Sequence, residues 1–355
     1  MTIAGIGNEK NQWERTRRIN IGVDANLLNN RLGVRFNYFR SATDHLLMWQ
    51  EMSYLSGLDK TWGNGGKLEN RGFDVEATGV VWASPSWQWQ VGASVGHYKN
   101  KVTALPDGQR YMDTEILGAT VRTEIGRPAN LFYGYKAQGV FSTSAEAQAA
   151  GLYIHDDNGV DRTAFEAGDM HFADLDGDHF ITEADRMVIG DPNPDIYGNI
   201  FTSVQYRRLR LDVRFNYSLG NDIYNYTRQQ LESGSRFMNQ TTALARRWQM
   251  EGQQTDIPRL SFQDPMGNSR FSDRWIEDGS YLRLKTVTLS YDLPVSSTFL
   301  QGLQFWVQAN NVVTLTRYLG SDPEGTALSA VLGQGIDAGS LPQSRNFMVG
   351  IKINL

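Results

Sequence analysis

Period-two alternation of apolar and polar residues most strongly restricts how this chain can fold. In the segment INIGVDANL, Ile19, Ile21 and Val23 fall on one face of an extended chain, while Asn20 and Asp24 fall on the other. The same alternation recurs along the chain, up to the final segment NFMVGIKINL. Strands with one apolar and one polar face are typical of antiparallel sheets. The sequence therefore predicts an all-β fold of about ten antiparallel strands.

The connections between these strands are of two alternating kinds. Short turns are predicted at 28–31, 82–86, 207–208 and 294–302. Long segments are predicted at 41–71, 99–195, 220–280 and 314–344. Outer-membrane barrels alternate short periplasmic turns with long extracellular loops, so this spacing predicts part of a transmembrane β-barrel whose C-terminus is periplasmic. The alternative is a soluble β-sandwich, which the loop lengths disfavour.

Composition excludes several other classes of protein. No stretch approaches the roughly 18 apolar residues that a membrane-spanning helix requires. The formal charge is −5, with 34 basic and 39 acidic residues mixed along the chain, so nucleic acid is not an expected partner. The chain has no cysteine, and its five histidines are scattered without an HExxH motif. We therefore predict no catalytic residues and no enzyme activity.

The segment DLDGDHFITEAD, residues 174–185, is similar to the loop of an EF-hand. Three alternating aspartates can converge on one hard cation, and an acidic residue stands at the twelfth position. Histidine occupies the sixth position, where the EF-hand has glycine, and no long helices flank the loop. The sequence predicts a structural calcium or magnesium site, rather than a calcium sensor, with these ligands: Asp174, Asp176, Asp178, the carbonyl group of Phe180, and Asp185.

Several longer phrases resemble the SusC/RagA family of TonB-dependent outer-membrane transporters of Bacteroidetes. They are spread from near residue 8 to the C-terminus: NQWERTRRINIGVDANLLNNRLGVRFNYFRSATDHLL, GGKLENRGFDVEATG, GRPANLFYGYKAQGVF, GDMHFADLDGDHFITEADRMVIGDPNPDIYGN, YLRLKTVTLSY, NNVVTLTRYLGSDPE and SLPQSRNFMVGIKINL. The resemblance implies part of a barrel of about 22 strands, with the C-terminal half present and the plug domain absent.

The resemblance also implies a function and partners. It implies import of oligosaccharides or peptides across the cell outer membrane, in contact with its lipid. The implied partners are a SusD-like lipoprotein, and TonB with ExbB and ExbD acting through the plug. We expect the chain to be a truncated part of a longer protein that is inactive alone, because open sheet edges are not tolerated in lipid.

Two further expectations concern particular segments. Polar residues on the inward faces of strands are candidates for the lumen wall: Arg35, Asn37, Asp74, Glu76, Asp212 and Arg214. Residues 225–252 are predicted to form a short amphipathic helix, which either packs on the loops or contacts the SusD-like lipoprotein. Two other functions remain open: a passive or structural outer-membrane barrel, and a surface calcium-binding β-protein.

Overall fold

A computed structural model describes residues 11–51, 60–155, 161–294, 300–326 and 331–354. Strands are numbered in chain order: β1 Arg15–Leu27, β2 Leu32–Glu51, β3 Lys60–Ala83, β4 Trp87–Ala104, β5 Tyr111–Ile116, β6 Ala119–Glu124, β7 Leu131–Tyr135, β8 Ala137–Val140, β9 Tyr153–His155, β10 Arg162–Ala164, β11 Met170–Phe172, β12 Arg186–Gly190, β13 Ile196–Tyr206, β14 Leu209–Leu219, β15 Asp222–Asn225, β16 Ile276–Asp278, β17 Tyr281–Leu293, β18 Gly302–Thr316, β19 Ile336–Asp337 and β20 Asn346–Asn354.

Helical structure is sparse and confined to the connections between the long strands. The α-helices are α1, Ser144–Ala150, and α2, Tyr226–Glu232. Single 3₁₀ turns lie at Pro106–Gly108, Glu183–Asp185, Thr242–Arg246, Asp273–Trp275 and Val331–Gly333. Among the described residues, no helix is both long enough and apolar enough to cross a membrane.

The long strands form one antiparallel sheet, which we call the wall. In the part of the chain that the structure describes, the wall contains nine strands in the order β1-β2-β3-β4-β13-β14-β17-β18-β20. The sequence predicted about ten strands, and the described residues place nine of them in the wall. Every strand of the wall coincides with a segment of period-two alternation.

The two ends of the wall differ in how the strands are joined. At the turn end, Asn29 and Asn30 adopt φ values of 56° and 63°, and Arg207 adopts 52°, as tight hairpin turns require. The predicted turn at 294–302 lies at the same end, although its residues 295–299 are outside the described part of the chain. At the opposite end, which we call the loop end, the long connections leave and return.

Two of the predicted loop boundaries were wrong, because the strands continue beyond the apolar band. In place of a loop at 41–71, β2 runs to Glu51 and β3 begins at Lys60, with the two paired along their length. Strand β4 likewise continues to Ala104, past the start of the loop predicted at 99–195. Backbone pairing can extend where side-chain alternation fades, because the ladder bonds do not depend on side-chain polarity.

The hydrophobic core lies in the loop-end segments rather than in the wall. One cluster of buried residues includes Phe141, Phe165, Met170 and Phe172. A second includes Phe132, Tyr224 and Trp275 and joins segments from three of the long connections. The apolar residues of the wall remain exposed: Ile21 has 62% of its surface exposed and Val349 has 79%. The wall thus presents an apolar band to its surroundings, as transmembrane strands do.

Candidate functional site

The inner face of the wall carries the polar residues that the sequence predicted there. The registers place Asp24, Arg35 and Glu76 directly opposite one another across β1, β2 and β3. The Arg35 Nε atom lies 3.0 Å from a carboxylate oxygen of Asp24, and its Nη1 atom lies 3.3 Å from one of Glu76. These ion pairs are exposed, so they orient the side chains more than they stabilise the sheet.

The six wall candidates divide between two depressions on this face. Four of them line a depression of about 560 Å³: Arg35, Asn37, Asp74 and Glu76. The other two, Asp212 and Arg214, line a separate depression of about 340 Å³ together with Thr286 and Thr288. The structure therefore does not bring all six into one site.

Three tyrosines that line the larger depression were not among the predicted candidates: Tyr197, Tyr217 and Tyr281. Tyr197 lies opposite Gly96, and a Cβ atom at Gly96 would collide with the Tyr197 ring. Tyr281 lines the same depression from the start of β17. The signal in the sequence was the pairing of a tyrosine with a glycine on the next strand, which becomes visible only when the register is known. Polar and aromatic groups together can bind a sugar or a peptide.

The aspartate loop lies between β11 and β12 and is held by its own backbone. Asp174 accepts hydrogen bonds from the N–H groups of Gly177 and His179, at 2.8 and 2.9 Å. Gly177 has a φ of 79°, a conformation that glycine adopts without strain. Hydrogen bonds from Tyr153 to the carbonyl of His179, and from Ile181 to the carbonyl of Tyr153, attach the loop to β9.

Three of the five predicted ligands come together. One carboxylate oxygen from each of Asp174, Asp176 and Asp185 lies within 4.8 Å of the others. Asp185 is fully buried, and its two oxygens accept the N–H groups of Leu175 and Thr182, both at 2.7 Å. Because a carboxylate oxygen has two lone pairs, these bonds leave each oxygen able to bind a cation as well.

Asp178 lies outside this group, and the carbonyl group of Phe180 stays a predicted ligand. A carboxylate oxygen of Asp178 accepts the N–H group of Phe180 at 2.7 Å, which closes a local turn. The Phe180 ring stacks on the His155 ring with centroids 4.2 Å apart. Asp178 is therefore positioned by its own turn, outside the group formed by Asp174, Asp176 and Asp185.

Electrostatics within the loop favour a bound cation. A hydrogen bond from the Asp178 N–H group acts to lower the pKa of Asp176, but burial and the charges of Asp178, Asp185 and Asp174 raise it overall. Burial acts to raise the pKa of Asp174, but the Gly177 and His179 N–H groups lower it overall. Asp174 is thus stabilised as an anion by the backbone, whereas Asp176 is repelled by its neighbours. A cation would relieve that repulsion.

The predicted amphipathic helix at 225–252 is mostly absent. Only Tyr226–Glu232 is α-helical, with Asn225 as its N-cap, and Thr242–Arg246 is a 3₁₀ turn. Leu244 is buried, and the Trp248 indole N–H donates to the carbonyl of Ser142 at 3.1 Å. Leu244 and Trp248 therefore pack on other loops, as the first alternative predicted, whereas Phe237 and Met250 of the same segment remain exposed, so contact with the lipoprotein stays a prediction.

Comparison with known proteins shows which proteins contain a wall and loops similar to these. TonB-dependent receptor P3 of Formosa agariphila is 30% identical over 366 residues, which cover 99% of this chain and 35% of that protein. TonB-dependent receptor SusC of Bacteroides thetaiotaomicron is 25% identical over 369 residues, covering 98% of this chain and 32% of SusC. A solved structure of the RagAB peptide transporter matches with a TM-score of 0.78 and 25% identity, over 99% of this chain and 36% of the solved chain. The chain belongs to the SusC/RagA family of TonB-dependent receptors.

Within this SusC/RagA-type chain, the wall is a portion of a receptor barrel. The chain spans about a third of the length of the curated relatives it matches, at 35% and 36% for the first two. No protein-family profile matches it. These relatives are named as receptors and the solved match as a transporter, in line with the absence of catalytic motifs from the sequence.

Proposed function

We propose that this chain forms part of the barrel of an outer-membrane importer that is energised through TonB. The observation that carries the proposal is the two-sided wall: an apolar band faces outward, and charged residues such as Arg35 and Glu76 face inward. An apolar exterior matches lipid, and a polar interior matches a water-filled or plugged lumen. The similarity over 99% of the chain to TonB-dependent receptor P3 supports energised import over a passive pore.

The proposed cargo is an oligosaccharide or a peptide. The RagAB match supports a peptide, because that protein is named as a peptide transporter. The larger inner depression combines charged residues with Tyr197 and Tyr281, a chemistry that suits either class.

Uptake by whole cells tests this function. Deletion of the full receptor gene should abolish uptake of the cargo, and the intact gene should restore it. Uptake should also stop when an uncoupler removes the proton-motive force. Uptake that persists in uncoupled cells would instead support a passive barrel.

The proposed partners are TonB with ExbB and ExbD, reached through a plug domain, and a SusD-like lipoprotein at the loop end. The loop end presents Phe237 and Phe262, which are 94% and 59% exposed, with ring centroids 5.0 Å apart. Exposed aromatic pairs of this kind occur at protein interfaces. Co-purification of the lipoprotein with the full receptor, reduced by Phe237→Ser with Phe262→Ser, tests the contact. Exposed Met250 provides a control position on a neighbouring loop.

We also propose that this chain alone does not transport. The strands at the two edges of the described wall, β1 and β20, each pair with one neighbour only. Their free backbone groups require further strands within a membrane. Expression of residues 1–355 behind a signal peptide should therefore fail to restore uptake to a receptor-null strain.

A second proposal concerns the aspartate loop, which we infer holds one calcium or magnesium ion. The convergence of Asp174, Asp176 and Asp185 supports it. Calcium should slow hydrogen exchange of residues 174–185 in the full receptor, and Asp176→Asn should remove the effect. Asp178→Asn serves as a matched control outside the converging group. Equal exchange with calcium and with chelator would contradict the site.

A further inference from the structure

The outer face of the wall changes from apolar to aromatic and then to basic residues near the loop end. Across β1 to β4, Val23, Phe36, Val75 and Val95 lie opposite one another in one row. The next row toward the loop end contains Ile21, Tyr38, Phe73 and His97. An apolar band bordered by rings is the pattern of a membrane-spanning strand at the interface between lipid and water.

Directly beyond this aromatic row, the outer face becomes basic. Arg40 lies opposite Arg71, and Arg71 lies opposite Lys99, so three cations stand side by side on adjacent strands. Like charges directly opposite one another destabilise a sheet. Their common position therefore points to a negatively charged partner outside the chain.

The basic character extends over the next two rows. We call the following residues the basic belt: Arg15, Arg17, Arg40, Lys67, Arg71, Lys99 and Lys101. Two acidic residues share the same rows, Asp44 and Glu69, so seven positive and two negative charges give a local net charge of +5. The whole chain has a net charge of −5, so the belt is a concentration of charge opposite in sign to the rest.

Internal ion pairs neutralise only part of this charge. Arg40 lies 3.1 Å from Glu69, and Lys67 lies 3.5 Å from Asp44. Among the described residues, Arg71, Lys99 and Lys101 form no ion pair within 4.0 Å, and all three are exposed. These three cations are therefore free to bind an anion.

A groove beside the belt provides room for a ligand. It has a volume of about 670 Å³, and its lining includes Arg40, Arg71, Lys99 and Lys101 together with residues of the segments 126–128 and 191–195. Glu69, Asp191 and Asp195 also border it. Asp191 already accepts hydrogen bonds from a neighbouring residue. One of its oxygens accepts both the backbone N–H and the side-chain amide of Asn193, at 2.9 and 2.7 Å.

We propose that the basic belt binds the phosphate groups of lipids in the membrane leaflet at the loop end. The belt stands at the depth of the headgroups, immediately past the aromatic row. It faces the same surroundings as the apolar band, so its partner is a component of the membrane and not a solute in the lumen. Juxtamembrane basic clusters bind anionic headgroups for the same reason. The inference rests on the membrane position proposed above.

Binding of a defined lipid to the full receptor tests the belt. The probe is diphosphoryl lipid A in detergent micelles, compared with the same lipid after removal of its phosphates. The test variant is Arg71→Gln with Lys99→Gln. The matched control is Arg207→Gln with Arg208→Gln, which removes two exposed charges at the turn end.

The original receptor should bind the phosphorylated lipid and should lose affinity as salt increases. The test variant should lose affinity by about thirtyfold, at roughly tenfold or less per basic residue, while the control variant should bind as the original does. Equal binding by both variants, or equal binding of the dephosphorylated lipid, would overturn the proposal. If the control variant fractionates with the outer membrane, the proposed membrane position holds. A failure of lipid binding then counts against the basic belt alone.

Discussion

The guanidinium group of Arg259 makes two hydrogen bonds of 2.9 Å with the carboxylate of Asp169, which is fully buried. Asp169 also accepts the side-chain amide of Asn268 at 2.9 Å and the N–H of Glu166 at 2.9 Å. One carboxylate thereby joins the connection between β4 and β13 to the connection between β14 and β17. This pair is therefore one of the polar links between these two loop-end segments.

Asp169→Ala should destabilise the loop-end structure by about 3 kcal/mol, because it removes one member of a bidentate, largely buried ion pair. Hydrogen exchange should accelerate in residues 165–172 and 257–268. Asp24→Ala, which breaks the exposed pair with Arg35, should change stability by less than about 1 kcal/mol. Unchanged exchange in Asp169→Ala would show that the link is dispensable.

In metal-free protein, substitutions of Asp185 and Asp176 should have different effects on stability, because Asp185 holds the loop together and Asp176 is repelled by its neighbours. Asp185→Ala leaves the N–H groups of Leu175 and Thr182 without their acceptor and should cost about 1–3 kcal/mol. Asp176→Asn should be neutral or slightly stabilising without metal, because neighbouring carboxylates raise the pKa of Asp176. Limited proteolysis of the loop in the presence of chelator measures both effects. Equal sensitivity of the two variants would contradict the assignment.

Gly168 should tolerate no side chain. Its φ is 89°, and an added Cβ atom would collide with the indole of Trp248. We expect Gly168→Ala to destabilise by about 3 kcal/mol or more, since it combines backbone strain with a clash. Gly252 is the matched control: its φ is 81°, but an added Cβ meets nothing within 4 Å. Gly252→Ala should therefore destabilise the protein by about 1 kcal/mol, through backbone strain alone. Hydrogen exchange near Trp248 measures the effect of both variants.

Acid should loosen the connection between β18 and β20. Burial acts to raise the pKa of Asp322, but the N–H group of Gln343, the Arg283 guanidinium and the N–H group of Glu324 lower it overall. A carboxyl group with a lowered folded-state pKa contributes stability above its unfolded pKa of about 3.9, and this contribution is lost as the pH falls through the folded pKa. Exchange of residues 317–326 should thus rise below about pH 4.

Asp322→Asn is the control for that acid effect. The amide cannot titrate, so exchange of this segment should already be faster at neutral pH and should change less on acidification. A fully retained acid response in Asp322→Asn would assign the effect to another group, such as Glu324, which also pairs with Arg283.

The wall could be predicted from the sequence because lipid imposes a local rule. Each outward residue must be apolar regardless of its distant neighbours, so the alternation of Ile19, Ile21 and Val23 already identifies β1. Strand ends were harder to predict. In the membrane position proposed above, the outer face beyond Tyr38 would meet headgroups and water, so Arg40 interrupts the apolar pattern although β2 continues to Glu51.

The loop-end core could not be predicted from the sequence, because its contacts join distant segments. Phe132, Trp275 and Ile336 meet in one cluster, yet they belong to three separate connections, none with regular periodicity. The same holds for the aspartate loop. Its spacing predicted converging carboxylates, but it could not show that Asp178 would bond instead to the Phe180 N–H group.

The separation of the core from the wall has a consequence for how the protein responds to its solvent. The loop-end clusters exclude water by packing against themselves, whereas Ile21 and Val349 on the wall rely on molecules that surround the protein. In the membrane position proposed above, two different solvents would thus stabilise two parts of one chain. Exchanging lipid for a poor detergent acts on one part, and chemical denaturants in the aqueous phase act first on the other.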